Sequence, residues 1–118
     1  MKEKPSKEER LKHMLEAIER IFRFVEDIDY EEFLKNEMAQ YAVIKNFEII
    51  GEAAYQLPKE YRKANEEKIE WRKIMGLRHV LVHDYYKINK EIVWNTIQER
   101  LLELREEIIQ LIEKEGSP

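Results

Sequence analysis

The chain has 118 residues, no cysteine, 21 Lys and Arg against 25 Asp and Glu, and a formal net charge of −4. Lack of cysteine excludes disulfides and thiolate metal sites, and a net-negative chain is not, taken whole, a polyanion binder. No apolar run reaches the roughly 18 residues that span a bilayer, and the charged opening Met1-Lys2-Glu3-Lys4-Pro5 lacks an apolar signal region, so a cytoplasmic protein without membrane association is expected.

Charged residues make up 39% of the chain, with only three Gly and three Pro, a composition that suits long solvated helices. The length suits a single domain, residues 1–118, with a core of its own. Ser6 and Glu9 form a capping-box pattern after Pro5. Leu11, Met14/Leu15, Ile18, Ile21/Phe22 and Val25 then carry an apolar stripe to about Glu26. His13 in this helix reads as a structural or surface histidine. Asp29 with Glu32 is a second capping box. It opens a helical pattern that runs to about Leu57 and allows a break near Asn36. Phe33, Leu34, Met38, Tyr41, Ala42, Ile44, Phe47, Ile50, Ala54 and Leu57 are its expected buried residues. Gly51 inside this helix costs about 1 kcal/mol against Ala unless close packing uses it. The small-residue face Gly51-Glu52-Ala53-Ala54 therefore predicts a close helix approach, with Glu52 beside it as a paired structural group or an orienting partner for Arg78.

Pro58 ends that helix. Residues 59–68 read as a polar loop with a helical turn around Glu60-Tyr61-Arg62. A third long helix is expected over residues 69–83, with Trp71, Ile74, Met75 and Leu77 on its apolar face and Gly76 permitting close packing. Residues 84–89 form a turn, and Asn89 caps a helix that continues to about Lys114 on Ile92, Val93, Ile97, Leu101, Leu104, Ile108, Leu111 and Ile112. Gly116 stops it. Trp71 and Trp94 are expected in the core or at a dimer contact; Tyr30, Tyr41, Tyr55 and Tyr61 suggest no role. No strand pattern appears. The predicted class is all-α, an up-and-down bundle of four to five helices.

Charge is uneven along the chain. Residues 59–83 carry seven Lys and Arg against four Glu, while the residues before and after are net negative. This stretch is either a solvated loop or a local phosphate-attracting surface. It leads into Gly76-Leu77-Arg78-His79-Val80-Leu81-Val82-His83-Asp84-Tyr85-Tyr86. A histidine moves protons near neutral pH. An arginine holds phosphate with fixed, always-protonated donors. A tyrosine stacks on a base or donates to a phosphate oxygen. Together they suffice for metal-independent RNA cleavage by attack of the ribose 2′-OH. Spacing alone does not separate that chemistry from histidines at a helix end in a polar patch. Arg78 and His83, five apart, lie about 140° apart round one helix at roughly 100° per residue. They converge only if His83 sits at a frayed end or a second subunit contributes. His79 and His83 share a helix face and with Asp84 resemble half a zinc site. No third or fourth ligand is evident, so neither metal nor cofactor is expected.

Arg78, His83 and Tyr85 reproduce the R-x4-H-x-Y signature of HepT-type HEPN proteins. Lys45-Asn46-Phe47-Glu48-Ile49-Ile50-Gly51-Glu52-Ala53-Ala54 resembles that family's second-helix signature, Trp71-Arg72-Lys73-Ile74-Met75-Gly76-Leu77 its approach to the active helix, and Val93-Trp94 its last-helix entry. The similarity covers about residues 10–113. It implies a ribonuclease toxin of a type II or type VII toxin–antitoxin pair, partnered by a minimal nucleotidyltransferase antitoxin. It also implies a homodimer with the active cleft between protomers. Arg78 and His83 would be catalytic, His79 and Tyr85 would bind the RNA substrate, and Tyr85 would be the tyrosine to which the partner adds AMP. His79 stands where many members carry Asn. The alternative is a non-catalytic nucleotide- or substrate-binding subunit of the nucleotidyltransferase.

Overall fold

The computed structural model describes residues 4–79 and 89–116. These form seven α-helices, α1 (Lys7–Val25), α2 (Tyr30–Lys35), α3 (Glu37–Tyr55), α4 (Lys59–Ala64), α5 (Trp71–Gly76), α6 (Lys90–Glu99) and α7 (Leu101–Glu115), with a 3-10 turn at Leu77–His79 after α5. No strand occurs among the described residues, and no helix there is long and apolar enough to cross a membrane. The all-α expectation holds.

Both capping boxes form. The Ser6 hydroxyl accepts from Glu9 N at 3.1 Å and the Glu9 carboxylate accepts from Ser6 N at 3.0 Å. These bonds hold the Glu9 carboxyl below the usual range. Asp29 and Glu32 repeat the arrangement at 2.9 and 3.3 Å. The break at Asn36 is real: Asn36 leaves the helical region and its side chain accepts from Ala39 N, opening α3.

α1 packs on α3 and on α7, and α3 packs in turn on α5 and the 3-10 turn. Leu11, Met14, Ile18 and Ile21 of α1 are fully buried with Val43, Phe47, Ile50 and Ala54 of α3 and Leu101, Ile108 and Leu111 of α7. Trp71 joins this core, its indole N–H donating to Asn65 O at 3.3 Å. Trp94 is half-buried against Phe33, ring centroids 5.2 Å apart. One polar link crosses the α1–α3 contact. Buried Asn46 accepts from Arg20 Nε at 2.8 Å and donates to Ala42 O at 2.8 Å.

Several expectations fail locally. Met38 and Tyr41 are not buried; they stand 85% and 47% exposed. Because α3 is packed on two sides, its apolar residues exceed one stripe, and these two fall on the remaining solvent side. Ile92 is likewise outside, and the stripe of the last helices begins at Val93. That predicted single helix is interrupted at Arg100. Neither Gly nor Pro is there, but the Thr96 hydroxyl donates back to Ile92 O at 2.8 Å, a bond that weakens the helical ladder it enters. The helix predicted over 69–83 starts at Trp71 and gives way at Leu77 to the 3-10 turn, a common ending for a short helix; residues 80–83 lie outside the described residues. Among the described residues nothing packs on Gly76: a Cβ there would meet none of their atoms within 4 Å. α7 does end at Gly116, but with φ −83° and not the left-handed conformation that favours glycine.

Candidate functional site

Gly51 is where the site begins. A Cβ on Gly51 would run into Arg78 N and would lie 3.0 Å from both Ile74 O and Leu77 C. All three atoms are main chain, so α3 and the segment after α5 touch backbone to backbone. The small-residue face expected from the sequence does this one job. One turn further along α3, at i+4, stands Tyr55. Arg78, entering its 3-10 turn against Gly51, lays its guanidinium over the Tyr55 ring, Cζ 3.5 Å from the centroid. That is well inside cation–π range. Arg78 Nε also donates to His79 Nε2 at 3.1 Å. An accepting Nε2 puts the neutral ring's proton on Nδ1. Glu52, the alternative partner considered for Arg78, instead accepts from Gln56 Nε2 at 2.9 Å.

Around Arg78 lies an open groove of about 620 Å³, lined by Tyr55, Lys59, Arg62, Arg72, Met75, Gly76, Arg78 and His79. Among the described residues, every formally charged side chain in that lining is basic. Helix geometry produces the sorting. α4 places Lys59 and Arg62, at i and i+3, toward the groove and leaves Glu60 out of its lining. α5 turns Arg72, Met75 and Gly76 to the groove and Glu70, Lys73 and Ile74 the other way. Arg62 is braced, Nε donating to Leu57 O at 3.4 Å and one terminal nitrogen to Met75 Sδ at 2.8 Å. The positive surplus of residues 59–83 is thus gathered on one surface.

The opposite side of α5 borders a smaller cavity of about 250 Å³ between Phe47, Ile69, Ile74, Leu77, Leu101 and Leu104. Its rim carries Glu70, Lys73, Arg100, Glu103 and Glu107. Partial burial, then the charge of Glu103, push the Glu107 carboxyl up, with Arg100 opposing. This cavity lacks the converging donors of the groove.

Arg78 and His79 are brought together. His83 and Tyr85, with Asp84, lie outside the described residues. Among the described residues no group of three or more His, Cys, Asp or Glu could hold a metal ion. Sequence reasoning missed Tyr55 as well as the joint placement of Lys59, Arg62 and Arg72. The available signal for Tyr55 was its position four after the close-packing glycine.

Residues 14–111 match the family described as ribonuclease HepT-like. A protein of Caldanaerobacter subterraneus subsp. tengcongensis named a putative RNase is 36% identical over 89% of this chain and 93% of its own length. One of Methanocaldococcus jannaschii, also named a putative RNase, is 35% identical over 80% of this chain and 86% of its own. One of Thermococcus cleftensis named a probable ribonuclease HepT is 35% identical over 86% of this chain and 92% of its own. No solved structure matches the chain at a significant level. With its family match spanning most of its length and its relatives covered nearly end to end, the chain belongs to the HepT-like ribonuclease family.

Proposed function

We propose that this protein is a metal-independent endoribonuclease that cuts single-stranded RNA in the groove around Arg78. The observation that carries this reading is Arg78 itself: a guanidinium fixed on an aromatic ring at the edge of a groove whose charged side chains, among the described residues, are all basic. A preorganised cation of that kind stabilises charge developing on a phosphate without reorganising during the reaction. In the reaction, the ribose 2′-OH attacks the adjacent phosphorus, and the P–O5′ bond breaks to leave a 2′,3′-cyclic phosphate. His83 takes the 2′-OH proton or supplies one to the leaving O5′. Arg78 stabilises the phosphorane, and Tyr55 is the positioning residue that holds Arg78. His79 and Tyr85 contact the substrate.

The test is cleavage of single-stranded RNA in EDTA. Activity with cyclic-phosphate ends, lost in Arg78→Ala and His83→Ala with the helical circular dichroism retained, is expected. A strict metal requirement, or full activity in His83→Ala, refutes the mechanism. RNA binding without cutting would favour the substrate-binding-subunit alternative.

The same reading includes a homodimer and a nucleotidyltransferase antitoxin. Met38, Tyr41 and Tyr55, all exposed, fall with Lys45, Glu48 and Glu52 at alternating spacings of three and four along α3, the spacing of a helix-pairing seam. A second copy seated there would border the groove at Tyr55. AMP added to Tyr85 by the partner would put negative charge beside the motif and repel RNA. Incubation with the partner, ATP and magnesium should raise the mass by AMP units mapped to Tyr85. Equal modification of Tyr85→Phe refutes this control scheme.

A further inference from the structure

We infer that Lys59, Arg62 and Arg72 form a phosphate track that holds the RNA strand beyond the scissile phosphate, so that the substrate is an extended single strand and not a mono- or dinucleotide. This rests on the ribonuclease reading above and deepens it. None of the three residues belongs to the Arg/His/Tyr motif, and they come from two helices. Lys59 and Arg62 share a face of α4, Arg72 lies on α5, and the groove runs from them to Arg78 and His79. A single nucleotide needs one such cation, or two. Four Lys and Arg, with no carboxylate among the described lining residues, suit several consecutive phosphates.

The spread in sequence argues that the arrangement is not a by-product of local composition. Four Glu lie between positions 59 and 78, and none lines the groove. Arg62 is only partly exposed and tied to Leu57 and Met75. Two bonds leave most of its five N–H donors for a phosphate. A single strand suits the site, because a positively charged groove that tracks the backbone is how such strands are held.

The experiment compares binding of 2′-O-methyl oligouridylates, which cannot be cut, as a dinucleotide and at roughly eight nucleotides, within the span of single-strand sites. Affinity is measured by fluorescence anisotropy over a range of salt. The variants are Lys59→Ala/Arg72→Ala and Lys63→Ala/Lys68→Ala. All four positions are exposed, and the second pair removes the same charge outside the groove lining. Arg62 is left in place because it braces α4 against Met75. For the longer probe, the groove pair should lower the slope of log affinity against log salt by about 1.4, at about 0.7 per phosphate contact on a single strand. It should also erase most of the wild-type preference for the longer probe over the dinucleotide. The Lys63/Lys68 pair should do markedly less of both. Equal effects of the two pairs, or a length preference unchanged in the groove pair, overturn the track while leaving the ribonuclease reading intact. Wild-type protein that binds no oligonucleotide at either length overturns both.

Discussion

Gly51→Ala is the substitution with the most information in it. Two effects oppose each other. Replacing glycine within a helix ordinarily gains about 1 kcal/mol from propensity. Here the new methyl must displace Arg78 N, Ile74 O and Leu77 C, all backbone, so rotamer change offers no relief. Overpacking of this kind costs about 1–3 kcal/mol, and the rigid neighbours place it toward the upper end. The net expectation is a loss of about 1–2 kcal/mol. With an unfolding entropy of about 2.1 cal/mol/K per residue, 1 kcal/mol moves the Tm of this chain by about 4 °C, so a fall of about 4–8 °C is expected by circular dichroism. Ordinary contact distances require the segment carrying Arg78 to move by roughly an ångström. A misplacement of that size can cost on the order of 100-fold in rate, so RNA cleavage should fall further than stability alone explains. Gly76→Ala is the matched control. Among the described residues nothing stands within 4 Å of its Cβ, and no glycine has positive φ, so it should gain up to about 1 kcal/mol. If Gly51→Ala also raises the Tm, the backbone contact that places Arg78 is refuted.

Tyr55→Leu removes the ring under Arg78 while keeping bulk. A cation–π contact is worth about 0.5–2 kcal/mol, so cleavage should slow about 2- to 30-fold. Tyr55→Phe should restore the rate; if it is as slow as Tyr55→Leu, the ring face is not what matters. The Tyr61 hydroxyl is buried without a hydrogen-bond partner among the described residues, so Tyr61→Phe should be neutral or stabilising by about 1 kcal/mol in urea denaturation. Burial, then the charge of Glu115, push the Tyr61 phenol up to about 12 from 10.0. Its contribution is therefore complete below pH 10 and is lost as pH rises from there toward 12. Tyr61→Phe should flatten that part of the stability–pH curve, and a curve of unchanged shape contradicts it. Light scattering should give about twice the 14.5 kDa of one chain, with Met38→Glu/Tyr41→Glu shifting it to monomer. A wild-type monomer at micromolar concentration removes the shared-cleft argument.

The features legible in the sequence were those decided within a few residues of each other. Both capping boxes and the Asn36 break depend on contacts three residues apart, and the sequence states them outright. The apolar stripe of α1 was equally plain because one side of that helix carries the core. α3 was harder, since packing on both α1 and α5 spreads burial around it and hides which apolar residues, Met38 and Tyr41 among them, stay outside. Gly51 and Gly76 show the limit sharply. The same rationale applied to both, yet among the described residues only Gly51 has a neighbour, and that neighbour is set by tertiary packing. At the site, Arg78 and the positive stretch were visible; Tyr55 was not, because its contact with Arg78, 23 positions away, is set by the packing at Gly51, and its only sequence sign was its place four after that glycine.

The groove's charge also shapes how the molecule meets its surroundings. Setting aside Lys59, Arg62, Arg72 and Arg78 leaves 17 Lys and Arg against 25 Asp and Glu over the remaining body. On average that remainder repels a polyanion, while the groove's attraction acts mainly within about 8 Å of it at physiological ionic strength. Raising salt should slow productive capture while leaving non-productive adsorption negligible throughout.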